Sequence, residues 1–431
     1  MKYYSTNDIN NEVDYRQTLN FGQAKDGGLF LPVHIPDFSL QLEEIQDLSL
    51  GKKAEKLLFP FISDVPQLDF EEICQKSFDF PVITSNLKNN LVIAELFHGP
   101  TFAFKDFGAK FLANLLGYFL KKENRMCTIL VATSGDTGGA VARAFHNLEN
   151  TRVVLLFPSK KISLLQEKQL TTIGDNVFAF EVLGDFDDCQ GLVKKAFLDS
   201  ELRDEFQLTS ANSINFTRLL AQTIYYFESV SQLKADSAKI RFIVPSGNLG
   251  NLTAGLIAKK MGLPIDSFIS ALNSNMSFYN FIKTGNFLKE KTKKTISNAM
   301  DVGNPSNILR IINLFENDIK QIRKVISAFS IEDSVTTSSI REVYDEFNYI
   351  MDPHTAVGYA ASKLADSSEY YNIILSTAHP AKFHDIVAEI VGAASIQFPT
   401  ELSELLNQKS MSSLISADYN HFRKSLKEIL R

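Results

Sequence analysis

From residue 91 onward, short apolar runs alternate with longer stretches whose apolar residues recur at helical spacing, the pattern of strands joined by helices into a parallel sheet. The clearest strands fall at 91–94, 128–132, 152–157, 177–182, 240–244 and 372–375. Each is short and mostly apolar, as expected of strands covered on both faces. Helices are expected at 141–147, 192–198, 216–230 and 252–261, the last stopped by Gly262 with Pro264 close behind. Residues 1–90 break this rhythm, mixing short elements with turns such as Asp26-Gly27-Gly28 before Leu29-Phe30-Leu31-Pro32, and predict a small N-terminal domain. The remainder divides into segments 91–230 and 231–431. No fixed-period repeat or low-complexity tract interrupts it.

At 431 residues, 45% hydrophobic and 22% charged, the chain is too long for one small module and too apolar for a disordered protein. A formal charge of −6 gives no global pull toward a nucleic-acid backbone or an anionic membrane, so neither partner is expected. No secretory signal pattern and no long apolar run is found. Cys74, Cys127 and Cys189 are too far apart for a zinc cluster or a disulfide framework, and read as buried reduced thiols of a cytoplasmic protein. The 34 Phe are assigned to core packing, and the basic residues Arg423, Lys424 and Lys427 near the C-terminus to a solvated helix face.

In an open parallel sheet, ligands bind beyond the carboxyl ends of the strands, and two such ends carry glycine-rich polar turns. The first is Thr133-Ser134-Gly135-Asp136-Thr137-Gly138-Gly139, which opens a helix near Ala140. Backbone N–H groups at a helix start lack intrahelical partners and attract a carboxylate or phosphate. An ordinary helix capped by Ser134 or Thr137 explains the segment equally well. The second is Pro245-Ser246-Gly247-Asn248-Leu249-Gly250-Asn251, whose two glycines let the backbone approach a phosphate. It is neither a P-loop nor a dinucleotide fingerprint, which leaves a phosphate on a smaller cofactor or a tight structural turn. A third feature is Lys105, flanked by Phe102, Phe104 and Phe107. If buried, its amine is desolvated and becomes a nucleophile toward an aldehyde; the alternative is a snorkelling lysine paired with Asp106. An apolar lysine, two anion-binding turns and an α/β frame together point to pyridoxal 5'-phosphate.

The chain resembles the threonine synthase family, within the fold type II group of pyridoxal-phosphate enzymes, over nearly its whole length. The resemblance rests on Tyr3-Tyr4-Ser5-Thr6, Asp26-Gly27-Gly28-Leu29 and the run from Glu95 to Phe107 through His98-Gly99-Pro100-Thr101. It continues through both glycine-rich turns, Asn212-Ser213-Ile214-Asn215, Asp352-Pro353-His354-Thr355-Ala356 and Ser376-Thr377-Ala378-His379-Pro380. It implies an α/β fold of two open parallel-sheet domains with a small N-terminal domain. The segment 91–230 would carry the cofactor lysine and the carboxylate-binding turn, and 231–431 the phosphate loop. Family motifs begin within the first few residues, so no regulatory extension is expected.

By that resemblance Lys105 bonds the cofactor aldehyde, and Gly247, Asn248, Leu249, Gly250 and Asn251 cradle its phosphate. Asp136 sits beside the ring oxygen and Thr377 faces the pyridine nitrogen. Ser134 and Thr137 hold the substrate carboxylate, while Asn215 and Arg218 serve the substrate, with Arg218 gripping its phosphate. The implied reaction converts O-phospho-L-homoserine and water to L-threonine and phosphate by γ-elimination and β-hydration, the last step of threonine biosynthesis. The protein would act as a monomer or homodimer. Two other readings stay open: a phospho-lyase or dehydratase with the same cofactor that releases a 2-oxo acid, and a catalytically silent cofactor-binding protein. A hydrolase built on His98, His354 or His379 lacks a nucleophile in the needed turn.

Overall fold

The computed structural model describes residues 1–62, 64–88, 90–233, 239–365 and 369–431. In chain order its strands are β1 (Lys2–Ser5), β2 (Asp8–Asp14), β3 (Phe30–Pro32), β4 (Ile83–Lys88), β5 (Leu91–Glu95), β6 (Cys127–Ala132), β7 (Thr151–Pro158) and β8 (Val177–Leu183). There follow β9 (Leu208–Thr209), β10 (Lys239–Pro245), β11 (Ser267–Leu272), β12 (Ile326–Ser330), β13 (Tyr370–Ser376) and β14 (Ser413–Ser416). The first three form an antiparallel N-terminal sheet, ordered β2-β1-β3. A six-stranded sheet runs β12-β11-β10-β13-β5-β4, parallel except for β4, and a five-stranded parallel sheet runs β14-β8-β7-β6-β9. Helices cover both faces, so strands such as Cys127–Ala132 are buried along their length and carry no alternation. This is the α/β class expected, with two open sheets and a small N-terminal sheet.

The sheets do not follow the division of the chain at 91 and 231. β5 pairs in register with β13, Leu91 opposite Asn372, and β14 pairs with β8. The 91–230 segment thus lends a strand to the larger sheet, and the C-terminal stretch returns to the smaller one. All six expected strands form, each within two residues of its expected ends. The helix expected at 141–147 instead spans Asp136–Phe145. Gly138 and Gly139 lie inside it: a Cβ on Gly138 would stand 2.5 Å from Thr133 Cγ2 and 2.6 Å from Leu170 Cδ2, so that glycine serves close packing and not a turn.

The Lys105–Glu123 helix, absent from the periodicity reading, lies at the centre of the main core. Its apolar residues occupy more than one face because other helices flank it, which erases the single stripe of a surface helix. Phe107 is fully buried on its first turn, its ring centroid 4.6 Å from Phe80 and 5.5 Å from Tyr225. At the other end of the chain, the helix Tyr419–Leu430 buries Phe422, Leu426 and Leu430. Its basic face is not simply solvated, since Arg423 pairs with Asp199 and Glu201, and Lys427 with Glu201 and Glu205. The three cysteines are free and buried. Among the described residues no helix is long and apolar enough to cross a membrane.

Truncating Phe107 leaves a cavity under the helix that begins at Lys105. Phe107→Ala is expected to destabilise the protein by about 3–5 kcal/mol, read as a lower urea midpoint.

Candidate active site

Four loops meet at the carboxyl ends of β5, β6, β10 and β13, where a parallel sheet leaves room for a ligand. The loop after β5 is locked to the loop after β13 by backbone bonds: Phe104 N–H donates to Thr377 O at 2.9 Å, and His379 N–H to Phe102 O at 3.1 Å. Phe102 adopts a left-handed conformation, φ 57°, a strained state that the bonds on either side of it hold in place. Asp106 does not pair with Lys105. Its carboxylate accepts the N–H of Thr101 at 2.8 Å and its hydroxyl at 2.6 Å, and burial pushes its pKa up to about 6. Gly99 makes room for this turn, since a Cβ there would lie 2.6 Å from Asp106 Oδ2.

Lys105 opens its helix with its side chain only 16% exposed, Nζ 3.6 Å from Asp136 Oδ2 and 5.3 Å from the Phe104 ring. Burial lowers its pKa; Asp136 opposes that shift, and the cations Lys382 and Arg218 add to it. Asp136 is itself buried. Its Oδ1 accepts from Lys382 Nζ at 2.7 Å and Gln166 Nε2 at 3.2 Å. Burial would raise this carboxyl, but Lys382 and Lys105 outweigh it and hold it well below the carboxylate range.

The turn before Asp136 is capped by Thr133, not by Ser134 or Thr137. Thr133 Oγ1 accepts the N–H of Gly135 at 3.0 Å and of Gly138 at 2.8 Å. The amides of Ser134, Asp136 and Thr137, and the hydroxyls of Ser134 and Thr137, meet no protein partner among the described residues. Gly135 has φ 128°, and a Cβ on it would strike Gln166, the residue that bonds Asp136.

The turn after β10 has the same character. The amides of Gly247, Asn248, Leu249, Gly250 and Asn251 donate to no protein acceptor among the described residues, and they precede or open the helix Gly250–Lys260. Leu249, at φ 60°, turns the chain into that helix. The side chains here build the loop. Asn251 Nδ2 donates to Pro245 O at 2.8 Å while its Oδ1 accepts Ser246 Oγ at 2.7 Å. Asn248 bridges Ser213 Oγ and the Ser306 amide, each at 2.6 Å.

Arg218 lies on the first turn of the helix Phe216–Ser231, fully buried, with one guanidinium nitrogen donating to Ala211 O and its Nε without a protein partner among the described residues. Asn215 caps that helix, its Oδ1 accepting Thr217 N–H at 3.0 Å and its Nδ2 facing Leu19 O and Ser210 O. Its side chain is committed within the protein, which departs from the direct substrate contact expected of it. Thr377 is 6% exposed, and its hydroxyl meets no protein partner among the described residues. Of the histidines, His354 accepts the Ala299 N–H on Nε2 at 3.2 Å and meets Asp352 through Nδ1 at 2.6 Å. His379 accepts the Ala381 N–H on Nδ1 at 3.1 Å.

Three residues were not singled out in the sequence. Lys382 sits in the run Pro380-Ala381-Lys382-Phe383, where a lysine among apolar neighbours was a usable signal. Gln166 belongs to a capping box with Ser163. Arg310, fully buried, donates to Phe30 O, Ser213 O, Ile214 O and Asn307 Oδ1.

Burial holds His379 neutral, its pKa brought down to about 4, with His98 adding to the shift. Because the unfolded chain takes up that proton first, His379 should contribute a rise in stability of about 3 kcal/mol from pH 4 to 6.5. Asp106 and Asp301, both pushed up to about 6 by burial, act in the opposite sense over an overlapping range. The contribution is therefore read as a difference: by urea unfolding, the change in stability from pH 4 to 6.5 should be less favourable in His379→Asn than in the parent, by about 3 kcal/mol.

Comparison with known proteins places this geometry in context. Residues 78–372 match the model of the family described as pyridoxal-phosphate dependent enzyme, residues 2–78 that of the threonine synthase N terminus, and residues 355–425 that of the threonine synthase C-terminal region. The chain is 43% identical to the threonine synthase of Escherichia coli over 98% of its own length and 99% of that protein's. It is 34% identical to that of Saccharomyces cerevisiae, with 97% and 96% covered. Its structure is similar to the crystal structure of the Escherichia coli enzyme, with a TM-score of 0.94 at 42% identity and both chains fully covered. It is also similar to the pyridoxal-phosphate-bound threonine synthase of Brucella melitensis, with a TM-score of 0.93 at 33% identity and 99% of each chain covered.

Proposed function

The chain belongs to the threonine synthase family of pyridoxal-phosphate-dependent enzymes, and on that premise we propose how its own residues carry out the conversion of O-phospho-L-homoserine and water to L-threonine and phosphate. It is a pyridoxal-phosphate-dependent lyase of threonine biosynthesis. The observation that carries the residue assignments is the convergence of a desolvated lysine, a buried carboxylate and two sets of unpartnered amides at the ends of neighbouring strands.

The donors suit the cofactor. Five amides from Gly247 to Asn251 lack protein acceptors among the described residues and can receive a phosphate, as an anion at a helix N-terminus is received. Lys105 would supply the amine that bonds the aldehyde, Asp136 would lie on the side of the ring oxygen, and the hydroxyl of Thr377 would serve the ring nitrogen without fixing a proton there. When bound, the cofactor supplies an electron sink for carbanions along the substrate chain.

The half-buried hydroxyls of Ser134 and Thr137, with the amides beside them, hold the substrate carboxylate. Arg218 receives the substrate phosphate: its unpartnered Nε is a buried donor in need of an acceptor, and a planar guanidinium suits a phosphate. Asn215 acts at one remove, capping the turn that presents Arg218. Lys105 would serve as the base that removes the proton at the substrate's Cα and moves protons among Cβ, Cγ and Cα as phosphate leaves Cγ and water adds at Cβ. Burial lowers its proton affinity, the direction that favours its use as a base.

We further place the protein in the cytoplasm, acting on a small molecule as a monomer or homodimer without a nucleic-acid partner. Three buried free thiols and a charge of −6 support this.

Incubation with O-phospho-L-homoserine should yield threonine and phosphate in equal amounts; a predominance of 2-oxobutanoate would instead establish the dehydratase reading. Lys105→Ala should reduce threonine formation by at least about a thousandfold, and Arg218→Ala should reduce kcat/KM by roughly a hundredfold, as loss of a charged phosphate contact does. Wild-type turnover in either variant would remove that residue from its assigned role.

A further inference from the structure

The site holds one carboxylate between two lysines, and the two are not equivalent. Lys382, on the turn Pro380–Phe383 after β13, is completely buried, with Nζ 2.7 Å from Asp136 Oδ1 and 3.0 Å from Thr101 O. Lys105 lies 3.6 Å from the other oxygen. Gln166 Nε2 also donates to Oδ1, so that oxygen is saturated and Oδ2 is left turned toward Lys105. A buried charge is tolerable when it is paired, and one carboxylate neutralises one ammonium. The closer and wholly buried lysine takes that partnership. A second ammonium at Lys105 would then have no counter-charge of its own and would face two fixed cations, Lys382 and Arg218.

We propose that Lys382 is a positioning residue that neutralises Asp136 and thereby leaves Lys105 Nζ as a free amine, ready to bond the cofactor aldehyde. Without Lys382, Asp136 would have Lys105 as its remaining lysine partner, and the resulting ion pair would hold the proton on the amine that must react. The bond needs the lone pair: Nζ attacks the aldehyde carbon, a C=N bond replaces C=O, and the oxygen leaves as water with the two amine hydrogens. An ammonium cannot begin this step. The inference rests on the assignment of Lys105 as the cofactor lysine.

The charged groups around Lys105 are few. Asp136 faces it from the helix Asp136–Phe145, Lys382 from the Pro380–Phe383 turn and Arg218 from the helix Phe216–Ser231. Asp106, on its own helix, is turned to Thr101, and His354 bears on Asp136 from the helix Pro353–Leu364. The lowered proton affinity of Lys105 has the sign this arrangement requires.

The test follows cofactor capture by the apoenzyme as a function of pH, by the rise in bound-cofactor absorbance in a stopped-flow instrument, with borohydride reduction and peptide mapping to locate the adduct. Lys382→Met should move the midpoint of the rate profile up by at least about one pH unit, so that capture near pH 7 slows about tenfold while the plateau at high pH is kept. Lys382→Arg, which retains the charge, should keep the parent midpoint. The double variant Lys382→Met/Asp136→Asn removes both charges and should return the midpoint to the parent value or below, and this reading stands even where the single Met variant fails to fold. An unshifted midpoint in Lys382→Met, a slowing equal at every pH, or an upward shift in the double variant would overturn the inference. An adduct on a residue other than Lys105 would overturn the cofactor-lysine assignment itself, whatever the midpoint.

Discussion

A carboxylate sealed inside a protein must find positive charge, and Asp136 finds it in Lys382, with the Lys105 amine on its other side. Much of the local structure follows from that demand. Lys382 has to be brought from the turn after β13 into a space without solvent, and Lys105 from the loop after β5. The two loops are therefore locked by backbone bonds between Phe104 and Thr377 and between Phe102 and His379, even at the cost of a left-handed Phe102. The helix carrying Asp136 needs a first turn that does not compete for its oxygens, which Thr133 secures by capping from outside that helix. Gln166, itself fixed by a capping box, supplies the remaining donor. The constellation is rigid because each of its charges has somewhere to go.

The two glycine-rich turns do a different job with similar parts. In both, side chains satisfy one another and leave the main chain bare. Asn251, Ser246 and Asn248 spend their polar atoms on the loop after β10, and Thr133 does so for the loop after β6. The unpartnered groups are amides at helix starts, where the dipole already favours an anion. A buried amide without an acceptor is costly, so two rows of them in one cleft are a stronger sign of anionic ligands than any single basic side chain. They also divide the labour, since an anionic cofactor tail and an anionic substrate group need separate cradles.

What could be read from the sequence followed what is local. The six strands were legible because each is a short apolar run bounded by polar turns, and the two turns because glycine and asparagine cluster directly after strands. The start of the helix at Asp136 was not, because Gly138 imitates a turn residue while answering a packing need against Thr133 and Leu170. The long helix at Lys105 lost its stripe to burial on several sides. Nor could the pairing of β5 with β13 be seen: the partners lie at opposite ends of the chain, and no nearby residue encodes their register. Lys382 was passed over because a lysine amid apolar residues is usually a stem crossing an apolar surface with its charge in water. Only the position of Asp136, fixed by a strand more than two hundred residues earlier, gives that charge a partner inside.

The N-terminal segment bears on the site from outside it, through the helix Tyr15–Phe21 and the strand Phe30–Pro32. Leu19 O faces Asn215, the cap of the helix that carries Arg218, and Tyr15 shares a 2.7 Å hydrogen bond with Thr217 on the same turn. Arg310 continues this support. Its guanidinium draws together Phe30 O at the end of the N-terminal sheet, Ser213 O and Ile214 O just before that helix, and Asn307, whose amide holds Asn248 O in the second glycine-rich turn. All four acceptors are neutral, so the charge is stabilised by dipoles and by geometry, and burial lowers its pKa to about 9 without dislodging the proton at neutral pH. A cation met only by carbonyl and amide oxygens tolerates little displacement, because each oxygen it loses leaves more of its charge unsolvated. The segment 1–90 is therefore part of the machinery by position: it bears on the turn that presents Arg218 and on the anchor behind the loop from Gly247 to Asn251.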